Sequence, residues 1–403
     1  MNKFKKIYCR SFQTVFKIAL PFLPYRKPKI LHSVKNIPEI LEKKKTDSVL
    51  IITDKGIMNL GLTKRLEKSL TKHSISYTIY DKTVANPTTV NVDEALAIYY
   101  ENNHKAIIGF GGGSSMDCAK AVGVRIARPK KSLAKLKGIL KVSKKLPLLI
   151  AIPTTAGTGS ETTLAAVITD AKTRHKYAIN DFPLIPHYAV LDPKVTLTLP
   201  PFITATTGMD ALTHAVEAFI GNSTTHGTRK DSLMAVELIY NNLETVYNNG
   251  SDIDARREML KASFYAGCAF TKSYVGYVHA VAHSLGGEYN IPHGLANAVI
   301  LPFVLEEYGE SIHKKLYKLA LAAGLVEKGV PYDEAAKIFI QSIKDMKKKF
   351  NIGDTFDEIK EDDIKKLAKY ADKEANPLYP VPVLMNAKEL EKFYYMLMHK
   401  NDN

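Results

Sequence analysis

The sequence predicts an α/β domain built on a parallel sheet, followed by an all-helical domain. Three observations carry that reading. Between Asp47 and about Leu199 short apolar runs alternate with amphipathic segments, beyond Pro200 and Pro201 the strand pattern disappears, and a glycine triplet follows one strand and opens one helix. The boundary falls near Leu199 to Phe202, giving expected domains 1–199 and 200–403.

At the N-terminus, Met1 to Leu23 carries lysines and apolar residues in the manner of a secretory leader. Lys6, Arg10, Gln13 and Lys17 interrupt the apolar run, and no small-residue cleavage site precedes Pro24, Tyr25 and Arg26. The segment reads as an amphipathic helix with Phe4, Tyr8, Phe12, Val15, Phe16 and Ala19 on one stripe. Packing on the protein is expected of that stripe, with a dimer contact or a membrane surface as alternatives.

DSVLIITDKG is an apolar strand ending at Asp54, and GLTKRLEKSLTK is the helix after it. ISYTIYD, KAIIGF, LPLLIAIPTT and YAVLDP are further strands, with VDEALAIYYENN a helix among them. KAIIGF leads straight into GGGSSMDCAK. Glycines let a phosphate approach the backbone, and the free amides of the first helical turn sit at the positive end of a dipole. A triplet is not the G-x-G-x-x-G fingerprint. Asp54, at the carboxyl end of a strand, is placed either to accept from ribose hydroxyls or to cap a helix. The PTTAGTGSE segment, Pro153 to Glu161, reads equally as a cofactor loop or as a polar loop without a ligand.

In the helical half, Asp210 and His214 lie four apart in GMDALTHAVEAF, so both project from one face. Such a pair is a metal half-site or a capping or surface arrangement. His279 and His293 bracket a second helical piece and a turn marked by Gly286, Gly287 and Pro292. Three imidazoles and one carboxylate would satisfy Zn²⁺ or Fe²⁺ and leave a position open for a substrate oxygen.

With 403 residues, 45% hydrophobic and 24% charged, the chain is long enough for two cores and is not disordered. The net charge of +15 raises nucleic acid as a partner. The lysines are scattered, however, with local runs only at Lys43 to Lys45, Lys130 to Lys144 and Lys347 to Lys349, so solvated faces are expected and no nucleic-acid role. Cys9, Cys118 and Cys268 form no C-x-x-C pair, which points to a reducing cytoplasm, with packing roles expected of Cys118 and Cys268.

GGGSSMDCAK, PTTAGTGSE, GMDALTHAVEAF and HAVAHSLGGEYNIPHGLANAVILP, in this order, resemble the iron-containing (group III) alcohol dehydrogenase family from about Asp47 onward. The resemblance implies a dehydroquinate-synthase-like α/β domain and metal ligation by Asp210, His214, His279 and His293. It also implies NAD(P) contacts at Asp54, Asn86, Gly112, Gly113, Ser114, Asp117, Thr154, Thr155, Thr163 and Lys176. An acid at position 54 repels a 2′-phosphate, so NAD is expected and NADP is the alternative, with Lys55 softening the preference. Fe²⁺ is the implied ion and Zn²⁺ its competitor.

His283, one turn beyond His279, matches a histidine proposed to relay protons, though filling space or bonding a carbonyl would also explain it. Ala165, Phe270 and Asn376 to Pro382 are the expected substrate surroundings, suited to a primary alcohol, diol or aldehyde, and a homodimer is expected. The rivals are a dehydroquinate-synthase-type lyase and a basic nucleic-acid- or membrane-binding protein. The first calls for a Lys/Arg cluster in the pocket; the second leaves the four candidate ligands unexplained.

Overall fold

The computed structural model describes residues 1–399, so the last four positions of the expected 200–403 domain lie outside the described residues. The chain divides into two compact units: Pro24–Leu199 with Gly250–Leu260, and Met1–Leu23 with Pro200–Asn249 and Lys261–Asn403. The sequence reading had placed Met1–Leu23 in the first domain. Hydrogen bonds explain why this segment belongs with the helices. Arg10 donates to the carbonyls of Val381 and Pro382 at 2.7 Å each, Gln13 donates to that of Tyr379 at 2.7 Å, and Lys5 pairs with Asp372. In the α/β unit, Arg256 ties 250–260 in place by donating to the carbonyls of Gly250 and Leu199.

The α/β unit contains β1 (Lys29–Leu31), β2 (Ser48–Ile52), β3 (Ser76–Tyr80), β4 (Ala106–Gly111), β5 (Gly138–Ile139), β6 (Leu148–Pro153), β7 (Ala165–Thr169), β8 (Lys176–Asn180) and β9 (Tyr188–Val190). Six of them form one sheet in the order β1-β9-β6-β4-β2-β3, with every neighbouring pair parallel. Strands β2 and β4 are buried along their whole length. Side-chain alternation sends Leu50, Ile52, Ile107 and Leu149 into one core and Val49, Ile51, Ile108 and Ile150 into another. A strand covered on both faces is apolar nearly throughout, which is the pattern the sequence shows; Ser48, the polar exception in β2, lies 2.6 Å from His104 Nδ1.

A second small sheet, β5-β8-β7, pairs β7 with β8 in antiparallel fashion. It was not foreseen, and neither was β1. Both escape because they are short or carry polar residues at their ends. Cys118 is wholly buried in the first core, and burial pushes its thiol up to about 12, in keeping with a packing role.

The second unit contains helices and no named strand among its described residues. Its central helix, Pro201–Ile220, lies against His226–Asn248 at Gly208, where an added Cβ would come within 2.3 Å of Leu243 Cδ1. The N-terminal helix, Lys3–Ala19, begins with Asn2 capping the amide of Lys5. It packs on the unit through Cys9, Gln13 and the following Leu20, with Phe16 edge-on to Tyr274 at 5.2 Å. Of the stripe expected to pack, Phe16 and Ala19 are half-buried, whereas Phe4, Val15 and Tyr8 face outward, 85%, 69% and 60% exposed.

One titration follows from the sheet edge. His187 accepts from the Leu149 amide through Nδ1, and burial, with Arg26 next, pushes its imidazole down to about 4. An unfolded histidine protonates near 6.5. The unfolded chain therefore takes up the proton first, and this contribution to stability is lost as pH falls from about 6.5 toward 4. We expect His187→Asn, which retains an acceptor, to flatten that part of the stability profile in chemical denaturation at stepwise pH; an unchanged slope would refute the assignment.

Candidate active site

The metal-ligand candidates stand on three helices of the second unit. Pro201–Ile220 is buried from Ala205 onward except at Thr207 and carries Asp210 and His214 on one face. His279 is in the first turn of Tyr277–Tyr289, and His293 opens His293–Tyr308. Between them Asn290 reverses the chain with φ 59°, a conformation asparagine tolerates well. One donor atom from each of the four residues lies within 4.8 Å of all the others. From Asp210 Oδ1 the distances are 3.5 Å to His293 Nε2, 3.8 Å to His214 Nδ1 and 3.9 Å to His279 Nε2. Ligand atoms round a tetrahedral ion stand roughly 3.4 Å apart, so the set needs little adjustment.

Close helix approach makes this possible. A Cβ on Gly294 would fall 2.6 Å from the Thr206 carbonyl oxygen and 3.4 Å from Asp210 Cβ. Glycine there lets His293 reach Asp210. Gly276 plays the same part for Glu217, whose Oε1 lies 2.7 Å from where a Cβ would stand.

Glu217 is itself the main residue that the sequence reading missed. It is buried, accepts from the amides of Gly276 and Val278 at 2.9 and 2.8 Å, and lies 2.6 Å from His279 Nδ1. Burial pushes its carboxyl up to about 7, while the amide bonds pull the other way. His279 is held well below its usual range by burial and by the neighbouring imidazoles, so it is neutral. Donation from Nδ1 to Glu217 leaves the lone pair of Nε2 facing the cluster, where that buried atom has no hydrogen-bond partner. A bare buried acceptor is costly, and a cation satisfies it; the donor set fits a divalent ion.

Asn297 was also missed. Its Nδ2 donates to Asp210 Oδ1 at 2.7 Å and lies 3.1 Å from His293 Nε2. Phe270, expected near the substrate, stacks on His214 with centroids 4.1 Å apart. His283 stacks on His293 at 5.1 Å and meets Glu374 Oε1 through Nδ1 at 2.6 Å. That same oxygen accepts from Tyr379 at 2.8 Å. Burial opposes ionisation of Glu374, but His283 and Tyr379 outweigh it and hold the carboxyl below its usual range. In the rest of the 376–382 segment, Asn376 bonds to Asp372 and the Met385 carbonyl.

The α/β unit gathers many of the expected cofactor residues. A cavity of about 670 Å³ is lined by Asp54, Lys55, Lys82, Gly112, Gly113 and Ser114, among others. Gly111, at φ 151°, ends β4; a Cβ there would sit 2.6 Å from Ser115 Oγ. Gly112 is the N-cap of Gly113–Ala127, and no side chain caps that end, so its first amides are open to an anion. Thr155 Oγ1, 3.9 Å from where a Gly112 Cβ would be, is buried without a hydrogen-bond partner. These features fit a pyrophosphate.

Asp54 caps the next helix by accepting from the Ile57 amide and also accepts from Ser115. Asn86 receives Lys176 Nζ at 2.6 Å and donates its amide to Ser114 Oγ. Thr154 donates its amide to the Gly111 carbonyl. Asp117 and Thr163 are placed differently, inside a buried network. Asp117 accepts from Ser160 and from the Val167 amide, while Lys120 donates to Ser160, Thr163 and the Ala165 carbonyl. Burial pushes Lys120 down to about 8 and Glu161 up to about 7.

The Glu217 contact yields a direct prediction. Glu217→Gln keeps the shape but weakens the hold on His279, and loss of such a supporting partner typically costs 10- to 100-fold in metal affinity. Chelator competition with Zn²⁺ should show that loss while dinucleotide binding is unchanged; wild-type metal affinity in the variant would refute the role.

A family model described as iron-containing alcohol dehydrogenase matches residues 30–193, and one for the C-terminal region of the Fe-containing alcohol dehydrogenase family matches residues 204–398. A 1,3-propanediol dehydrogenase of Citrobacter freundii is 34% identical over 384 residues, covering 94% of this chain and 98% of its own. An NAD-dependent methanol dehydrogenase of Bacillus methanolicus is 34% identical over 84% of this chain and 89% of its own. Among solved structures, a 1,3-propanediol oxidoreductase superposes with a TM-score of 0.89 at 33% identity, over 93% of this chain and 99% of that one.

Proposed function

The chain belongs to the iron-containing alcohol dehydrogenase family, and on that premise we propose that it interconverts a small primary alcohol or diol and its aldehyde with NAD as redox partner. The observation that carries this reading is the convergence of Asp210, His214, His279 and His293, with the buried Nε2 of His279 left bare. When bound, a divalent ion supplies Lewis acidity at the substrate oxygen and a nicotinamide supplies the hydride site. Fe²⁺ is the proposed resident ion and Zn²⁺ its competitor.

The chain's own residues do the rest. Glu217 fixes the tautomer and direction of His279. Phe270 covers one face of His214 and excludes water from it. His283, steadied by Glu374 and with its side chain 41% exposed, stands where its imidazole can exchange protons with solvent. The Gly113–Ala127 helix presents its uncapped amides to the pyrophosphate, and Asp54 accepts from the ribose. Groups shown against the four ligands are Glu217, Phe270, Asn297 and His283, not the cationic cluster that a lyase acting on an anionic substrate requires. The relative named as an NAD-dependent methanol dehydrogenase supports NAD. The free cysteines support a cytoplasmic setting, and a homodimer belongs to the same reading.

Two measurements test this. An anaerobic screen of NADH and NADPH oxidation over short aldehydes, with Fe²⁺ or Zn²⁺ restored to metal-free protein, should find metal-dependent turnover. His279→Ala should abolish that turnover with NAD binding intact; full activity in the variant would end the metal mechanism. For the cofactor, NAD should exceed NADP in kcat/KM, and Asp54→Ser should narrow the gap about tenfold or more. An unaltered ratio would remove Asp54 from cofactor selection.

A further inference from the structure

We propose that the outward face of the N-terminal helix docks the protein on an anionic phospholipid surface. The helix Lys3–Ala19 has two opposite faces. Its inner face is anchored by Arg10 and Gln13 to the 377–382 backbone. Its outer face presents Phe4, Ile7, Tyr8, Val15 and Ile18, exposed by 85, 54, 60, 69 and 66%, and Phe22 just beyond is 85% exposed. Scattered apolar residues on a surface are ordinary, but large apolar side chains recurring on one face along about four helical turns are not.

Charge selects the occupant. No Asp or Glu precedes Glu39; of the five basic residues on the helix, Lys5 is paired with Asp372 and Arg10 bonds the 381–382 backbone, which leaves Lys3, Lys6 and Lys17 exposed. At 100° per residue, Lys3 stands at one border of the apolar face and Lys17 and Lys6 lie farther round on that side; all three are exposed, and Lys6 lines the groove beside Ile7 and Val15, from which a long side chain reaches headgroup phosphates as the apolar residues enter the acyl boundary. Beside the helix a groove of about 730 Å³, lined by Lys6, Ile7, Val15, Pro382 and Val383 among others, extends the apolar surface. A second copy of the chain is the weaker occupant, because it would bring two acid-free basic segments together. The contact is peripheral: no helix among the described residues is long and apolar enough to cross a membrane.

The test is co-sedimentation of the full chain with phosphatidylcholine vesicles, with and without 30% phosphatidylserine. The protein should sediment with the phosphatidylserine vesicles, remain in solution with phosphatidylcholine alone, and be released by high salt. Each lysine neutralised near the surface costs about fivefold, so Lys3→Gln, Lys6→Gln and Lys17→Gln together should weaken partitioning about 100-fold. The combined Phe4→Ser, Ile7→Ser, Val15→Ser, Ile18→Ser variant should lose it as completely. Thermal unfolding should show both variants folded. Absence of wild-type sedimentation, equal binding to neutral vesicles, or retained binding in either folded variant overturns the proposal. So does light scattering that shows the serine variant halving the mass in lipid-free buffer, which would make this face a contact between copies.

Discussion

Everything in the helical unit that bears on chemistry depends on keeping one carboxylate, that of Glu217, inside a helical core. Such a group is tolerated only if its lone pairs are used. Here two amides at the start of Tyr277–Tyr289 and one imidazole use them, so the carboxylate fixes where that helix begins. Once its start is fixed, His279 falls on the side facing Asp210, and His283 follows one turn later. Gly276 and Gly294 are the geometric conditions for this arrangement. Each occupies a point where a methyl group would collide, the first with Glu217 and the second with the backbone at Thr206. The convergence of the four candidate ligands is thus a product of helix register and helix spacing rather than of four independent placements.

The four candidate ligands that the structure brings together were legible in the sequence because metal chemistry needs particular residue types, and Asp-x-x-x-His fits one helical face. The parallel sheet was legible for a related reason: strands such as SVLII and AIIGFG, buried on both sides, are almost wholly apolar. Glu217 offered a fainter signal. It lies seven residues after Asp210, two turns along the same face, in a helix that is otherwise largely apolar. Asn297 stands four after His293 in the same way. Glu374 had no signal, since it reaches His283 across 91 positions of sequence. The N-terminal helix shows the opposite limit. Periodicity reveals that one face is apolar but not what that face meets, and the bonds that turned it outward run from Arg10 and Gln13 to backbone carbonyls, which carry no side-chain code.

On the nucleotide side, one motif serves two physical purposes. Gly112, Gly113 and Ser114 line the cavity, while Asp117, three residues farther on, turns inward to Ser160 and the Val167 amide. Lys120 continues inward to Ser160, Thr163 and the Ala165 carbonyl. The second group immobilises the Thr-Gly-rich loop that follows β6. A buried ammonium with three oxygen partners holds a loop firmly because every broken bond leaves a charge unsolvated. Motif membership alone therefore does not separate residues that line the cavity from residues bonded into the loop beside it; their hydrogen-bond partners do.

Charge and apolarity at the N-terminus answer each other. An exposed stripe of large apolar side chains ordinarily drives association between identical molecules. In this chain the stripe is carried on a segment without acids in a protein of net charge +15. Two such segments approaching in water repel, and the repulsion acts before the apolar side chains can touch, because at physiological salt it extends about 8 Å. An anionic surface reverses the sign of the long-range term and leaves the short-range one intact. The composition that makes self-contact unfavourable is then the same composition that makes contact with a negatively charged layer favourable. The anchoring of Arg10 and Gln13 keeps the helix presented for it.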